Sequence, residues 1–156
     1  MKLKHYQPQF KQDIEDFQVT REQLLFVRSP QDNIPLSEKV PSRKPILGFN
    51  NDGDCVVFFV LQEHSEFEKD FDLPNSIYVR SFVTDKRHLH RGYAKSALLA
   101  LPQFLKKEFP HIDYITLLVD QPNTIAKEMY HKCGFTEGKL IDGERYPAYT
   151  MIKAVK

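Results

Sequence analysis

The chain has no tryptophan, only two cysteines and only six glycines among 156 residues. Cys55 and Cys133 lack metal-ligand spacing, and two cysteines make no disulfide scaffold. They are expected as reduced thiols of a cytoplasmic protein. Six histidines occur, but none is patterned with cysteine or carboxylate at ligand spacing, so no metal is expected. The longest apolar run, Cys55 to Leu61, is too short to cross a bilayer, and Met1-Lys-Leu-Lys-His leads into polar residues instead of a secretory apolar stretch. Neither sign of charge dominates: 22 basic against 21 acidic residues leave +1, which argues for no nucleic-acid or membrane partner. There is no internal repeat and no low-complexity segment. What is present, 41% hydrophobic and 28% charged residues, is the composition of a globular protein long enough for a real core, so a single domain over 1–156 is expected.

The informative stretch is Val83 to Ser96. Before it, Ser76-Ile-Tyr-Val-Arg-Ser-Phe-Val83 is rich in β-branched and aromatic residues and reads as a strand. After it, Ala94-Lys-Ser-Ala-Leu-Leu-Ala-Leu101 is built from good helix formers. Between them lies a short basic turn, Leu89, His90, Arg91, Gly92, Tyr93, Ala94, Lys95. A helix start exposes unpaired N–H groups and favours negative charge. Small residues there let a phosphate approach the backbone, and Arg91 and Lys95 add attraction, so the turn reads as a pyrophosphate cradle. A lone glycine before a helix equally serves the turn alone, and neither a dinucleotide fingerprint nor a P-loop is present.

A second constellation lies downstream. Strand Tyr114-Ile-Thr-Leu-Leu-Val119 runs into Asp120-Gln-Pro-Asn123 and a short helix ending Tyr130-His-Lys-Cys-Gly-Phe135. Together the two segments resemble the GNAT superfamily of acetyl-CoA-dependent N-acetyltransferases. Its phosphate loop reads Gln/Arg-x-x-Gly-x-Gly/Ala, and Leu89, Gly92 and Ala94 stand at those positions. Its second motif, Asn-x-x-Ala-x-x-x-Tyr-x-x-x-Gly-Phe, is matched by Asn123, Ala126, Tyr130, Gly134 and Phe135. The resemblance covers about residues 45–153. Leu89 departs from it, since the family has a polar residue there, although the loop works largely through backbone N–H groups.

The rest of the chain fits an α/β fold. Lys2 to Tyr6 alternates like an edge strand. Phe10, Ile14 and Phe17 mark one helix face, and Thr20-Arg-Glu-Gln23 is a capping-box signature. Four prolines between Ser29 and Pro45 predict a loop, with a short helix near Leu36 to Lys39. Ile46–Phe49 and Asp54–Gln62 form a hairpin about Asn50-Asn-Asp-Gly53. Glu63 to Pro74 reads as a solvated acidic loop, or less commonly as an attractor of a cationic amine. Pro102 is expected to kink or restart the helix that follows the basic turn. Phe135–Ile141 and Tyr146–Ala154 read as the last two strands. The resemblance implies a mixed, mostly antiparallel twisted sheet with helices on both faces. Its fourth and fifth strands run parallel and splay apart.

The resemblance also implies the chemistry. Acetyl-CoA is the expected co-substrate. Phe82, Val83 and Thr84 would offer backbone groups to its pantetheine arm, and the turn Leu89–Lys95 would hold its pyrophosphate. Asn123 would contact the arm while capping its helix. Tyr130 would be the general acid for the departing sulfur, and a backbone N–H near Val83 would polarise the thioester carbonyl. Each has a plainer reading: Tyr130 as packing, Asn123 as a cap alone, Arg91 and Lys95 as surface charge. No base can be selected. The strand position where polyamine acetyltransferases often carry a carboxylate holds Arg80, and nothing in the spacing chooses among Glu63, His64 and Glu66. Cys133 is not placed like a nucleophile, so direct attack in a ternary complex is expected. The leading acceptor is a primary amine of a small molecule. A protein N-terminus or lysine is the second reading, and a non-catalytic acyl-CoA sensor the third. The N-terminal helices are expected to set acceptor choice, and exposed strand edges admit a homodimer.

Overall fold

Cys55 to Gln62 carries no charged residue and is dense in β-branched and aromatic side chains, the pattern of a strand covered on both faces. In the computed structural model, which describes residues 1–156, this segment is strand β3 (Cys55–Gln62), and every residue of it is buried. It sits near the middle of a seven-stranded sheet with β1 (Lys2–His5), β2 (Arg43–Phe49), β4 (Ser76–Thr84), β5 (Tyr114–Asp120), β6 (Thr136–Asp142) and β7 (Pro147–Ala154). The spatial order is β1-β2-β3-β4-β5-β7-β6. All neighbours are antiparallel except β4 and β5. A parallel pair needs a crossover, and helix α5 (Tyr93–Glu108) supplies it.

Each sheet face has its own apolar cover. Ala97, Leu98, Leu101 and Leu105 recur at helical spacing on α5 and are fully buried. They pack with Ile77, Val79, Ile115 and Leu117, the alternate residues of β4 and β5. On the opposite face, α1 (Lys11–Asp16), α2 (Arg21–Leu24) and α3 (Pro30–Lys39) precede β2. There Ile14 and Phe17 pack with Leu47, Phe58, Val60 and Val83. The capping box forms as its sequence signals: Gln23 N donates to Thr20 Oγ1, and Thr20 N donates to Gln23 Oε1.

Three segments differ from the sequence expectation. The proline-rich stretch is not chiefly loop, because α3 spans ten residues. Ser29 caps it through Asp32 N, Pro30 occupies a helix-start position where no N–H is needed, and Gln31 Nε2 ties it to the carbonyls of Ile14 and Phe17. The acidic stretch holds a short helix, α4 (Glu68–Phe71), because Phe67 and Phe71 bury against Tyr78 while the charges stay outward. Pro102 does not restart α5, which continues unbroken to Glu108. It removes one backbone bond, whereas burial of Leu98, Leu101 and Leu105 holds both sides of it to the sheet.

Leu101 is central to that cover and wholly inaccessible. Leu101→Ala is expected to lower unfolding free energy by roughly 2–5 kcal/mol in urea denaturation at an unchanged m-value.

Candidate active site

The site begins as a defect in strand pairing. β4 and β5 pair only from Ser76↔Tyr114 to Val79↔Leu117. On the other side of β4, Phe58 faces Val83 and Val60 faces Arg80. Phe59 therefore stands opposite two residues, Ser81 and Phe82, which is a β-bulge. Ser81 takes the left-handed conformation, φ 55°, a strained state for a side-chain-bearing residue. The extra residue resets the alternation. Phe82 turns to the α5 face, where it stacks on Phe59 at 5.5 Å and meets the edge of Tyr130 at 6.4 Å. Val83 turns to the other face. Beyond the bulge β4 and β5 diverge, and a cleft of about 390 Å³ opens between them.

One end of this cleft lies at the start of α5. Asp85, fully buried, anchors the approach by accepting from Gln18 N and from the Arg87 guanidinium. Burial alone would raise the Asp85 carboxyl, but Arg87 and the backbone donors hold it below the usual range. His90 (φ 63°) and Gly92 (φ 79°) then curl the loop through left-handed backbone. Ser96 N donates to Gly92 O, so the amides of Gly92, Tyr93, Ala94 and Lys95 precede the first helical bond and have no intrahelical acceptor. A Cβ added at Gly92 would meet nothing within 4 Å. Open space above free amides at a helix start, flanked by exposed His90, Arg91 and Lys95, suits an anion. Tyr93 faces elsewhere, its hydroxyl accepting from Asn50 Nδ2 of the β2–β3 turn at 3.2 Å.

Helix α6 (Thr124–Lys132) forms the next wall. Asn123 caps it, its Oδ1 accepting from Ala126 N at 3.3 Å. One turn on from Ala126, Tyr130 enters the cleft, with its ring edge-on to Phe135 at 5.7 Å. The Tyr130 side chain is buried, and burial, reinforced by Cys133 and Asp120, pushes its phenol above the ordinary tyrosine value. A phenol in that state keeps its proton at any working pH. Phe82, Val83, Thr84, Leu89, Ala94 and Asn123 line the same cleft, whereas His90, Arg91, Gly92, Tyr93 and Lys95 lie outside its walls around the start of α5. The Thr84 carbonyl already accepts from Gln23 Nε2 of α2 at 2.8 Å.

The other end of the cleft is charged. Arg80 is buried, donating to Gln62 Oε1 at 2.6 Å, to both Glu66 oxygens at 2.7 and 3.1 Å, and to Glu144. Burial works against both charges, yet the pairing prevails: Arg80 is raised and Glu66 lowered. Behind this cluster, Arg43 has Nε and Nη1 buried without a partner, and burial beside Arg80 lowers it. Over the mouth, Arg145 Nη1 donates to Leu24 O at 2.7 Å, and Phe26 packs on Tyr146 at 5.6 Å. These contacts bridge α2 to the β6–β7 turn. Asp120 ends β5 here and lines the cleft, half-buried. Burial raises its carboxyl to about 6, with Arg145 pulling down and Glu144 pushing up.

Sequence reasoning named neither Asp120 nor the Arg145 bridge. Asp120 stood in the quoted run before Asn123, where it reads as a strand end, and only the splay opens its side to the cleft. Of the carboxylates considered earlier, Glu66 is committed to Arg80, and Glu63 pairs with His111 at 2.6 Å outside the cleft. His64 pairs with Glu68 at 3.0 Å on the surface.

A mostly antiparallel seven-stranded sheet with one parallel pair, β4 and β5, that parts into a cleft, and with helices on both faces, is a mixed α/β fold. Residues 11–135 match the acetyltransferase (GNAT) family. The chain belongs to that family and is an acyltransferase. It is 29% identical over 136 residues to the uncharacterized N-acetyltransferase YbbJ of Bacillus subtilis (strain 168), covering 86% of this chain and 84% of that one. Among solved structures it resembles the spermidine N-acetyltransferase of Vibrio cholerae in complex with CoA and spermine. The TM-score is 0.73 at 15% identity, over 98% of this chain and 94% of that one. It also resembles the aminoglycoside acetyltransferase AAC(6')-Ib in complex with coenzyme A and kanamycin. There the TM-score is 0.77 at 16% identity, over 97% and 93%. No helix is long and apolar enough to cross a membrane.

The Asp120 environment yields a stability prediction. Its folded value lies above that of an unfolded aspartate, so the folded state binds the extra proton and the wild type loses stability as pH rises from about 4 to about 6. Asp120→Asn is therefore expected to melt higher than the wild type at pH 8, and the gap should close below pH 4. Thermal melts across that range check it; a gap that ignores pH would contradict the assigned cause.

Proposed function

We propose that the chain transfers an acetyl group from acetyl-CoA to the primary amine of a small molecule, by direct attack in a ternary complex. The observation that carries this is the cleft running through the sheet between two unlike ends. Free amides and basic residues at the start of α5 suit a pyrophosphate, and charged side chains between α2 and the β6–β7 turn suit a polar acceptor. Acetyl-CoA, when bound, supplies an acetyl thioester. The amides of Gly92 to Lys95 hold its diphosphate, with Arg91, His90 and Lys95 around them. The edge of β4 at Phe82 and Val83 faces the carrier arm as a pairing strand would, and Asn123 borders it from α6. Tyr130 holds a proton ready for the sulfur, kept there by its burial. Cys133 is buried with its thiol raised by burial, the opposite of what a nucleophile needs.

The acceptor end favours an amine that also carries an anionic group. Arg28, Arg80 and Arg145 line the cleft together with Glu22, Asp120 and Glu144, so the wall is of mixed sign. Arg80 and Glu144 satisfy one another, leaving Arg28 and most of Arg145 for an anion and Asp120 for a cation. An acidic trough for a polycation is absent from this wall. The Arg145 bridge narrows the mouth, which supports a small acceptor over a protein chain.

Thiol release from acetyl-CoA with a panel of amines tests the reading. Amino-acid-like amines are expected to exceed spermidine and kanamycin in kcat/KM. Tyr130→Phe should lower kcat roughly a hundredfold or more while the Kd for CoA, measured by calorimetry, stays within threefold. CoA binding without turnover on any amine would favour a sensor.

A further inference from the structure

We propose that Asp120 is the general base that takes the proton from the acceptor's ammonium group, an assignment that rests on the acetyl-transfer reading above. Ile115, Leu117 and Val119 project into the α5 core. Residues of the other parity, among them Leu118 beside Tyr78, project to the opposite face. Asp120 shares that parity, so its carboxylate lies on the side covered by α2 and the β6–β7 turn, where an acceptor enters. It stands past the last β4–β5 pair, where the strands have already diverged.

Its availability distinguishes it from every other acid at the cleft. Glu144 is committed to Arg80, and Glu22 is exposed at the rim. Asp120 is half-buried, and its side chain has no hydrogen bond and no ion pair within the chain; its backbone carbonyl accepts from Asn123 N at 2.8 Å. The strand end is thus held by backbone bonds to β7 and to the α6 cap, and the carboxylate is left over. A half-desolvated carboxylate without a partner costs stability, so the fold retains here a group it does not use. The charged and titratable groups facing it are Arg145 and Glu144 from the β6–β7 turn, Tyr78 from β4 and Tyr130 from α6. Burial holds its carboxyl at about 6, within the range where a base is both ionised at neutral pH and able to accept a proton.

The step balances. The ammonium gives one proton to Asp120 and becomes a neutral amine, whose lone pair forms the C–N bond to the acetyl carbonyl as the C–S bond breaks. The sulfur receives the Tyr130 phenolic proton, the phenolate recovers the second proton from nitrogen, and Asp120 releases its proton to solvent. The products are an amide, a free thiol and one proton.

The test compares wild type with Asp120→Asn, which keeps the side-chain shape and leaves every backbone bond in place. For the best amine of the panel, kcat/KM is followed from pH 5 to 9, CoA affinity is measured by calorimetry, and the Asp120 carboxyl is titrated by 13C NMR in the unliganded protein. The expected result is an acid limb in the wild-type profile that coincides with an NMR midpoint near 6 and vanishes in Asp120→Asn. With it should go a loss of roughly 10²–10⁴-fold in kcat/KM while CoA affinity stays within twofold. A loss under threefold with the acid limb intact, or an NMR midpoint in the ordinary aspartate range, would overturn the assignment and leave acetyl transfer standing. A protein that binds CoA yet acetylates no amine in the panel would instead remove the reading beneath it, and the base with it.

Discussion

One irregularity governs this molecule: β4 contains a residue more than its partner needs. The bulge at Ser81 and Phe82 bends β4 away from β5 after four paired residues, and the cleft opens in the gap. Backbone groups inside a protein are nearly always paired, so two strands that part in mid-sheet leave donors and acceptors that something else must satisfy. Part of the answer is internal, because Gln23 reaches from α2 to the Thr84 carbonyl. The remainder is a wall with the hydrogen-bonding habits of a strand edge. The same bulge resets the side-chain alternation, which sends Phe82 under Tyr130 and Val83 into the opposite core. A single inserted residue thus opens the cleft, builds one wall and supports Tyr130.

The two ends of the cleft use different electrostatics. At the start of α5 the attraction comes from oriented amides, supplemented by exposed basic side chains that water screens. At the end beside α2 and the β6–β7 turn the charges are partly dry and mostly committed. Arg80 is buried yet held by three side chains, so it keeps its charge and organises Gln62, Glu66 and Glu144 into a fixed floor. Buried pairs of this kind contribute little net stability; their effect here is to consume most of the local charge. Asp120 and the outer arginines are what remains.

Charge also separates this end of the cleft from what fold likeness alone would suggest. The solved relatives include complexes with spermine and with kanamycin, both polycations. Likeness at 15–16% identity speaks for the scaffold and not for the pocket, since function resides in sites carried by a fold. The N-terminal helices and the β6–β7 turn, joined by Arg145 and by the Phe26–Tyr146 contact, enclose this end of the cleft.

Much was legible from local pattern. The uncharged run of β3, the stripe Ala97, Leu98, Leu101 and Leu105, the capping box at Thr20 and the Asn123 cap are short-range signals, each dictated by spacing along the chain. Gly92 before a helix and Tyr130 seven residues after Asn123 announced the start of α5 and the cleft wall for the same reason. Helix α3 escaped because the four prolines of its stretch count as breakers unless Pro30 is seen to occupy a position that needs no N–H. The unbroken course through Pro102 escaped because tertiary burial outweighs a local penalty. Asp120 and Arg145 could not be read at all: a carboxylate at a strand end is ordinary until the neighbouring strand departs, and Arg145 meets Leu24 across 121 positions of sequence. The sequence by itself determined the elements and the motif positions, because those follow from the periods of helix and strand. Only the tertiary structure decided which charges are spent on one another and which are left facing the cleft, because that depends on distances between residues that lie far apart along the chain.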